Sequence, residues 1–546
     1  MVNFDVLVIG SGGAGLIAAL SAIKEGSTVA VLSKTPVGTA SSTAYSSGFF
    51  TLPYQDLSFQ RYFDNTISVG RGINRKDLVE TLGKEACLSL KELQSWGVTV
   101  RFLKDGHATV RDSSPIPIVS GGGFISELKT LASNKGVRFI ENICVTDILV
   151  SNKRVYGVEY CDWMKGTFGR IFCNSLILAT GGAGQIFKRT DNPSRITGDG
   201  YALALKGGLS LVDMEFIQFY PVGFDEPRFP CWMIRLPIID IARITDEKGE
   251  EFLKAKMQEW SIDSGQDISL YARDRTARLI QEKIAQGHEI LLHLEDIEKE
   301  KWEEWDLRKI TSCFPRGLNP WNYGPVHVSP LEHYFSGGIM IDKGAATSIE
   351  GLYACGEVTG GVDGASRVGG NALSNMVSFA MKAGKGAASL AYRVSPKPYR
   401  LLEEKKAKKI SLSDRGIEPC MIREKIKALD QECLGPLRNE KGIRKVISEL
   451  EDIYRDIPDL KVEKPQDLLG ALEIEGLLLS SLAVAYSACS RKESRGVHYR
   501  IDFPLEMQDF ERSQFVKIQN GQFVTGFDQT DKEPIFVEKN QRSDLV

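Results

Sequence analysis

The chain has 546 residues, a formal net charge of −3 at pH 7 and 42% hydrophobic residues. This length exceeds what one hydrophobic core usually supports, so we expect two or three domains. The ordinary composition excludes a disordered or fibrous protein, and the small net charge gives no reason to expect nucleic acid or an anionic membrane surface as a partner.

The compartment is predicted from the first residues, the apolar runs and the cysteines. The chain enters a predicted strand at once, so we expect no signal peptide. The most apolar stretch, residues 468–489, carries Glu473 and Glu475 and is predicted to be a buried helix, with no direct membrane insertion. The ten cysteines show no C-x-x-C spacing. This favours reduced thiols in a cytoplasm and argues against a resident iron–sulfur cluster or other metal site.

The N-terminus carries a glycine fingerprint in a strand–turn–helix context. A predicted strand at residues 4–9 is followed by Gly10-Ser11-Gly12-Gly13-Ala14-Gly15 and then by helical apolar spacing over residues 16–24. Such glycines let a pyrophosphate approach the free N–H groups of a helix start. This pattern predicts dinucleotide binding.

A second predicted strand, residues 28–32, ends at Ser33-Lys34, where an acidic residue often holds the adenosine ribose. Here the hydroxyl of Ser33 and the ammonium of Lys34 would have to bind the ribose instead. This weakens a simple NAD interpretation, although a phosphorylated ribose could use the lysine.

Further strands and close-approach loops follow along the chain. Thr180-Gly181-Gly182 ends a predicted core strand, and Asp199 lies in a glycine turn before a predicted helix at 201–206. The predicted strands of this part are residues 137–141, 145–151, 154–161, 170–173 and 175–179.

The changing composition along the sequence predicts three domains. Residues 222–343 are rich in tryptophan and charge and are predicted to be an insertion with its own fold. The strand-and-glycine pattern resumes afterwards, and charged amphipathic helices dominate from about residue 396. We therefore predict an α/β fold: a discontinuous Rossmann-like domain (residues 1–221 and 344–395), an inserted α+β capping domain (222–343) and a helical C-terminal domain (396–546).

The most informative block is residues 351–375. A short strand runs into Gly356-Glu357, then into a glycine-dense loop with a single arginine, Arg367, and then into a helix. An arginine fixed among glycines can present a rigid, bidentate fork to a carboxylate.

These motifs, in this order, resemble the flavoprotein family of succinate dehydrogenase, fumarate reductase and L-aspartate oxidase. The resemblance covers nearly the whole chain, and it implies an FAD-binding domain, a mobile capping domain and catalysis at their junction. It rests on GSGGAG at Gly10, ATGGAG at Ala179, TGDG at Thr197, DMEFIQF at Asp213, ARD at Ala272, HYFSGGI at His333, the block at 351–375 and the tail at 493–504.

The resemblance also implies which residues bind FAD. Glu357 corresponds to the acid that binds the flavin ribitol, and the helix start at 371–374 approaches the flavin ring. Respiratory members attach FAD covalently through a histidine on the second loop, where this chain has Ser41-Ser42-Thr43, so we predict non-covalent FAD. The full predicted set is Gly10, Ser11, Gly12, Gly13, Ala14, Gly15, Ser33, Lys34, Ser41, Ser42, Thr43, Gly48, Thr180, Gly181, Asp199, Gly356, Glu357, Arg367, Asn371, Ala372 and Leu373.

The implied chemistry is two-electron reduction of a carbon–carbon double bond, or the reverse. Hydride addition beside a carboxylate builds negative charge, which cations must stabilise. His333 and Arg367 match the family's carboxylate clamp, and Arg273 matches its proton donor. Asp240-x-x-Arg243 looks like the relay that returns the proton to this arginine.

The departures from the family pattern concern the substrate. Tyr220 stands where the family has histidine, and Ile239 stands where it has threonine, and both family residues bind the second carboxylate of fumarate or succinate. Asp363 and Ser366 replace a histidine and an asparagine beside Arg367. The second carboxylate of a dicarboxylate would then lack good hydrogen-bond partners, which should lower the selectivity for dicarboxylates. We therefore predict an unsaturated acid or acyl thioester with an apolar or aromatic far end.

Three alternatives remain open from the sequence. A fumarate reductase or succinate dehydrogenase proper, or an L-aspartate oxidase, would share the fold and the arginine–histidine set. An electron-transfer or assembly protein without its own substrate is the alternative from a different functional class. The sequence shows no site for a second electron carrier, so we expect electrons from an iron–sulfur or other electron-transfer subunit, from oxygen or from a soluble reductant.

Overall fold

The structure, a computed structural model, describes residues 3–110, 121–393, 412–413, 416–455, 457 and 459–527. Its strands are β1 (Asn3–Ile9), β2 (Val29–Ser33), β3 (Phe49–Thr51), β4 (Arg101–Leu103), β5 (His107–Thr109), β6 (Arg138–Glu141), β7 (Ile143–Ser151), β8 (Arg154–Asp162), β9 (Thr167–Leu178), β10 (Leu211–Val212), β11 (Ile217–Phe224), β12 (Arg243–Asp246), β13 (Ile290–His293), β14 (Val326–Phe335), β15 (Gly338–Ile339), β16 (Leu352–Ala354), β17 (Leu412–Ser413), β18 (Leu460–Lys461), β19 (Gln514–Gln519) and β20 (Gln522–Phe527).

The helices include a 23-residue helix after the glycine-dense loop and a 26-residue helix near the C-terminus. They are α1 (Gly13–Lys24), α2 (Ser42–Tyr45), α3 (Phe59–Val69), α4 (Lys76–Ser95), α5 (Gly121–Asn134), α6 (Asp199–Lys206), α7 (Phe252–Glu259), α8 (Gly265–Asp267), α9 (Arg273–Ala285), α10 (Lys299–Glu304), α11 (Arg308–Thr311), α12 (Pro320–Tyr323), α13 (Asn371–Arg393), α14 (Pro419–Cys433), α15 (Glu440–Arg455) and α16 (Pro465–Ser490).

The largest sheet has seven strands in the order β6-β2-β1-β9-β8-β7, with β16 also paired to β9. Strands β6, β2, β1, β9 and β16 run parallel, whereas β7 and β8 are antiparallel additions. Helices α1 and α13 pack against one another beside this sheet. β9 is one continuous strand, whereas the sequence predicted two, because Asn174 continues the strand rather than breaking it.

The inserted segment has an apolar core of its own. An antiparallel sheet in the order β11-β14-β13-β12 packs with α9 and surrounds buried residues such as Val222, Ile268 and Leu292. This separate cluster is the arrangement expected of a capping domain. The exact boundaries remain a prediction, and the predicted boundary at 395/396 lies outside the described residues.

The C-terminal part combines helices with a hairpin that the sequence did not predict. Helix α16 is long and apolar enough to cross a membrane by length and composition, but 83% of its most apolar window is buried inside the protein. Its position in the core fits the predicted buried helix. Strands β19 and β20 pair with each other, and β19 also pairs with β10, which joins this hairpin to the part of the chain that precedes the inserted segment.

Candidate functional site

The glycine fingerprint brings the start of α1 against the sheet. Gly10 has φ +106°, and a Cβ at this position would lie 2.2 Å from the backbone oxygen of Ala179. A Cβ at Gly15 would lie 1.9 Å from the backbone oxygen of Gly10. The residue that precedes the helix, Gly12, provides no side-chain cap. The N–H groups of this helix start are therefore free to bind a pyrophosphate.

The end of β2 is occupied by an ion-pair cluster around Lys34, in which Lys34 and Asp199 are half-buried and Glu473 is fully buried. The ammonium of Lys34 lies 2.7 Å from Asp199 Oδ2 and 2.9 Å from Glu473 Oε1, and it donates to Thr197 Oγ1. Burial by itself lowers the pKa of Lys34, but the two carboxylates outweigh burial and raise it above its ordinary value. The lysine is thus engaged with protein carboxylates.

A single large cavity in the described part of the chain contains most of the predicted cofactor residues. Gly15, Gly48 and Asn371 do not line it. Gly15 supports the helix packing, and the Asn371 amide is buried between Tyr62 and Thr66. The predicted residues that line the cavity are Gly10, Ser11, Gly12, Gly13, Ala14, Ser33, Lys34, Ser41, Ser42, Thr43, Thr180, Gly181, Asp199, Gly356, Glu357, Arg367, Ala372 and Leu373.

Several features of this cavity fit a bound FAD. The buried Thr180 hydroxyl has no hydrogen-bond partner among the described residues. Glu357 accepts from the Phe335 N–H, and burial raises the pKa of its carboxyl to about 7. In the second loop, Ser41 caps α2 and Ser42 donates to Asn192. The cavity therefore offers polar groups along its length for a dinucleotide.

Two arginines from distant parts of the chain meet at one glutamine. Arg273 Nη1 and Arg367 Nη2 both donate to Gln218 Oε1, each at 2.9 Å. The Nε atoms of both arginines are buried without a hydrogen-bond partner among the described residues. Within the same described ranges, neither guanidinium forms an ion pair with a carboxylate. The pair therefore has unused donors for an anion.

Arg273 begins α9 directly after a π-helical turn, Ile268–Ala272. Its Nη2 donates to the backbone oxygen and to the hydroxyl of Ser269, and its guanidinium carbon lies 5.3 Å from the centre of the Tyr220 ring. Burial lowers the pKa of Arg273 to about 10, and the positive charge of Arg367 acts in the same direction. The guanidinium is therefore a stronger acid than arginine in water.

His333 approaches the same cavity from β14. Its Nδ1 lies 2.9 Å from Asp191 Oδ2, and its ring centre lies 5.6 Å from that of Tyr220. A carboxylate on Nδ1 fixes the ring orientation and leaves Nε2 as the second ring nitrogen for a ligand. The Asp191 carboxylate thus orients the imidazole.

The two substitutions beside Arg367 are also buried. Asp363 Oδ2 accepts from the Tyr334 hydroxyl at 3.1 Å, and the Tyr334 ring centre lies 4.2 Å from the guanidinium carbon of Arg367. Burial raises the pKa of Asp363 to about 6, although Arg367 opposes this shift. Asp363 therefore supports the arginine through Tyr334.

The predicted proton relay is not assembled in the structure. Asp240 is exposed and accepts from the Gly265 N–H, while Arg243 pairs with Asp296 on the outer face of the cap. Neither residue lines the cavity. Ile239 packs against the apolar core of the cap and does not line the cavity either. Arg243 begins β12, which pairs with β13 and places this residue opposite His293. Asp240 precedes this strand and lies at the end of a short 3-10 helix, Leu236–Asp240.

Other cavity residues were missed by the sequence reasoning. Trp232, Met233 and Arg235 belong to an irregular segment without a motif, and its backbone pairing to β11 brings it to the cavity. Asp191 and Asn192 lie in a loop whose polar character was visible but whose partner was not. The lining residues that the sequence did not predict include Tyr45, Asp191, Asn192, Trp232, Met233, Arg235, Gln266, Ser269 and Tyr334.

A parallel sheet with a glycine fingerprint, an inserted cap and a cationic cluster between them defines an FAD-dependent oxidoreductase. Comparison with known families is consistent with this class. The family described as "FAD binding domain" matches residues 5–373, and the family described as "Fumarate reductase flavoprotein C-term" matches residues 423–537.

Relatives and solved structures give the same answer over nearly the whole length. The chain is 30% identical to an uncharacterized FAD-dependent oxidoreductase of Methanocaldococcus jannaschii (94% of this chain and 96% of that protein). It is also 30% identical to a fumarate reductase (CoM/CoB) subunit of Methanothermobacter marburgensis (93% and 96%). An E. coli quinol fumarate reductase structure superposes with a TM-score of 0.86 at 25% identity, covering 98% of each chain. The chain belongs to the fumarate reductase and succinate dehydrogenase flavoprotein family, and the predicted fold and FAD cofactor are confirmed.

Proposed function

We propose that the chain reduces a carbon–carbon double bond conjugated to a carboxylate or an acyl thioester, or forms such a bond in the reverse direction. The observation that supports this proposal is the convergence of Arg273, Arg367 and His333 on one cavity, with both arginines on the same Gln218 oxygen.

In the direction of reduction, FAD held in the cavity by the glycine fingerprint and Glu357 would supply the hydride, and with it both electrons, for one carbon of the double bond. Arg367 and His333 hold the carboxylate or the thioester carbonyl and stabilise the negative charge that develops there. Arg273 donates a proton to the neighbouring carbon, so the double bond gains one hydride and one proton. Burial favours this role because it lowers the pKa of Arg273 to about 10.

Asp240 and Arg243 do not line the cavity, which supports a route for the return of the proton to Arg273 other than the predicted relay. The polar group beside Nη2 is the Ser269 hydroxyl, at 3.1 Å. We propose that the proton returns from solvent past Ser269.

The substrate is proposed to have an apolar or aromatic far end. The Tyr220 hydroxyl accepts from the Leu236 N–H, and its ring lines the cavity with Trp232 and Met233. These side chains suit a hydrocarbon or aromatic group better than a second carboxylate placed directly on the double bond. Ile239 packs against the cap core and does not line the cavity, so it does not support an apolar far end.

We further propose a cytoplasmic protein that exchanges electrons with an iron–sulfur or other electron-transfer subunit. Two relatives, from Methanothermobacter marburgensis and Proteus vulgaris, are named as subunits of fumarate reductases, which supports a multi-subunit assembly. All ten cysteines have free thiols, which fits a reducing compartment.

An anaerobic substrate screen tests the proposed function. Photoreduced protein is mixed with fumarate, crotonate, cinnamate and an enoyl thioester, and flavin reoxidation is followed by absorbance. We expect substituted acrylates or thioesters to react faster than fumarate. Faster reaction with fumarate would indicate a fumarate reductase proper, and peroxide formation from aspartate in air would indicate an L-aspartate oxidase. Reoxidation by a redox dye alone would indicate an electron-transfer protein.

A further inference from the structure

One part of the cavity wall is formed by residues 232–235, a segment that carries a cation without a partner among the described residues. Trp232 and Met233 lie beside Arg235 in this segment, and all three line the cavity. The Trp232 ring centre lies 5.9 Å from that of Tyr45, which also lines the cavity.

The backbone on both sides of Arg235 is held by hydrogen bonds. The Ile234 N–H donates to the Val222 oxygen at 2.9 Å, and the Leu236 N–H donates to the Tyr220 hydroxyl at 2.9 Å. Both partners belong to β11. These hydrogen bonds anchor the backbone on both sides of Arg235 to β11, the strand that carries Tyr220.

The charge of Arg235 has no partner in the part of the chain that the structure describes. Its guanidinium has no hydrogen bond or ion pair with any residue in the described ranges. Two acidic residues that line the cavity have other partners: Asp191 binds His333, and Asp199 binds Lys34. Arg235 and Arg273 both act electrostatically on the buried Tyr220 phenol. Arg273 and Arg367 are buried, whereas Arg235 is exposed, and all three line the cavity. A positive charge thus lies at the open rim of the cavity.

We propose that Arg235 binds a carboxylate at the end of the substrate remote from the reacting double bond. This inference rests on the proposed function and narrows its substrate class. The substrate is an unsaturated acid or thioester that ends in a second carboxylate, with an apolar or aromatic spacer against Tyr220, Trp232 and Met233. Fumarate lacks such a spacer. A guanidinium fork suits a carboxylate in a bidentate arrangement.

The size of the effect follows from exposure. Arg235 is exposed to solvent at the rim of the cavity, so water and salt weaken the ion pair. We therefore expect about a tenfold preference for the terminal carboxylate, most of it in KM rather than kcat, because Arg235 does not face the reacting atoms.

The test uses matched pairs: 4-carboxycinnamate with 4-methylcinnamate, and glutaconate with pent-2-enoate. Wild-type holoenzyme should show about tenfold higher kcat/KM for the carboxylated member of at least one pair. Arg235→Gln should remove this preference by raising KM and should change the neutral member less than about twofold, whereas Arg235→Lys should keep part of it. Arg316→Gln, at an exposed cap arginine away from the cavity, is the control. Equal preference in wild type and Arg235→Gln would overturn the inference.

A binding measurement separates this inference from the proposed reaction. Saturated 3-(4-carboxyphenyl)propanoate and 3-phenylpropanoate are titrated into oxidised holoenzyme, and the flavin spectrum reports binding. Tighter binding of the first compound that is lost in Arg235→Gln supports the subsite even if no double bond is reduced. Equal binding of the two compounds contradicts the subsite even if reduction occurs.

Discussion

Arg273 and Arg367 donate to the same atom, Oε1 of Gln218, each at 2.9 Å. One arginine begins a cap helix, and the other lies in the glycine-dense loop before α13. A neutral amide holds the two positive charges together without cancelling them, which keeps them available for an anionic substrate.

Replacing this amide by a carboxylate tests its neutrality. In Gln218→Glu, a negative charge would pair with both arginines and compete with the substrate. We expect kcat/KM to fall roughly 100-fold while the protein stays folded. Steady-state kinetics and thermal unfolding measure the two effects, and Gln258→Glu on the cap surface is the matched control. Unchanged turnover in Gln218→Glu would show that the shared contact has no part in substrate binding.

The proposed role of Arg273 predicts a pH profile. Arg273 must carry its proton to act as a donor, so the rate of reduction should be constant at neutral pH and fall as the pH rises through about 10. Arg273→Lys should lower kcat by about 10²–10⁴-fold. Arg275→Lys, on the same helix but outside the cavity, should change kcat little. Full activity of the Arg273 variant would refute the role.

The ion-pair cluster at Lys34 should stabilise the folded protein. Lys34→Met leaves the fully buried Glu473 with fewer partners and Asp199 without its cation. Because Arg195 and Arg423 still pair with Glu473, and because Lys34 and Asp199 are half-buried, the loss should be about 1–3 kcal/mol of unfolding free energy. Denaturant unfolding measures this loss. Lys165→Met, which breaks an exposed pair with Asp162, should cost less than about 1 kcal/mol, and an equal loss in both variants would contradict the prediction.

The cofactor is predicted to be bound without a covalent link. The second loop offers the hydroxyls of Ser41, Ser42 and Thr43 to the cavity and no histidine. Precipitation with acid should release all flavin into the supernatant, as judged by its fluorescence. Flavin that remains with the washed precipitate would disprove this prediction.

The sequence predicted the parts of the site that depend on short motifs. Gly10 and Arg367 lie in strand–loop–helix units whose local geometry is set by glycines, and the structure places both at the cavity. Arg273 and His333 were assigned by resemblance, and the structure places both on the cavity as well.

The sequence did not predict where side chains point when their placement depends on pairing between distant segments. The residues Asp240 and Arg243 have a relay's spacing, but the pairing of β12 with β13 turns Arg243 toward Asp296. Arg235 has no motif, and hydrogen bonds to β11 bring it to the cavity. Such placements depend on tertiary pairing between distant segments, which one sequence read alone does not reveal.

Glu473 lies inside α16 with no exposed side chain, and it contacts the ammonium of Lys34 at the end of β2. Because linkage is reciprocal, the part of nucleotide binding that depends on the Lys34–Glu473 contact should protect α16 from opening by the same factor by which loss of α16 weakens that binding. We therefore expect cofactor occupancy and the integrity of α16 to be coupled, so that a protein shortened by removal of α16 should retain its flavin less tightly.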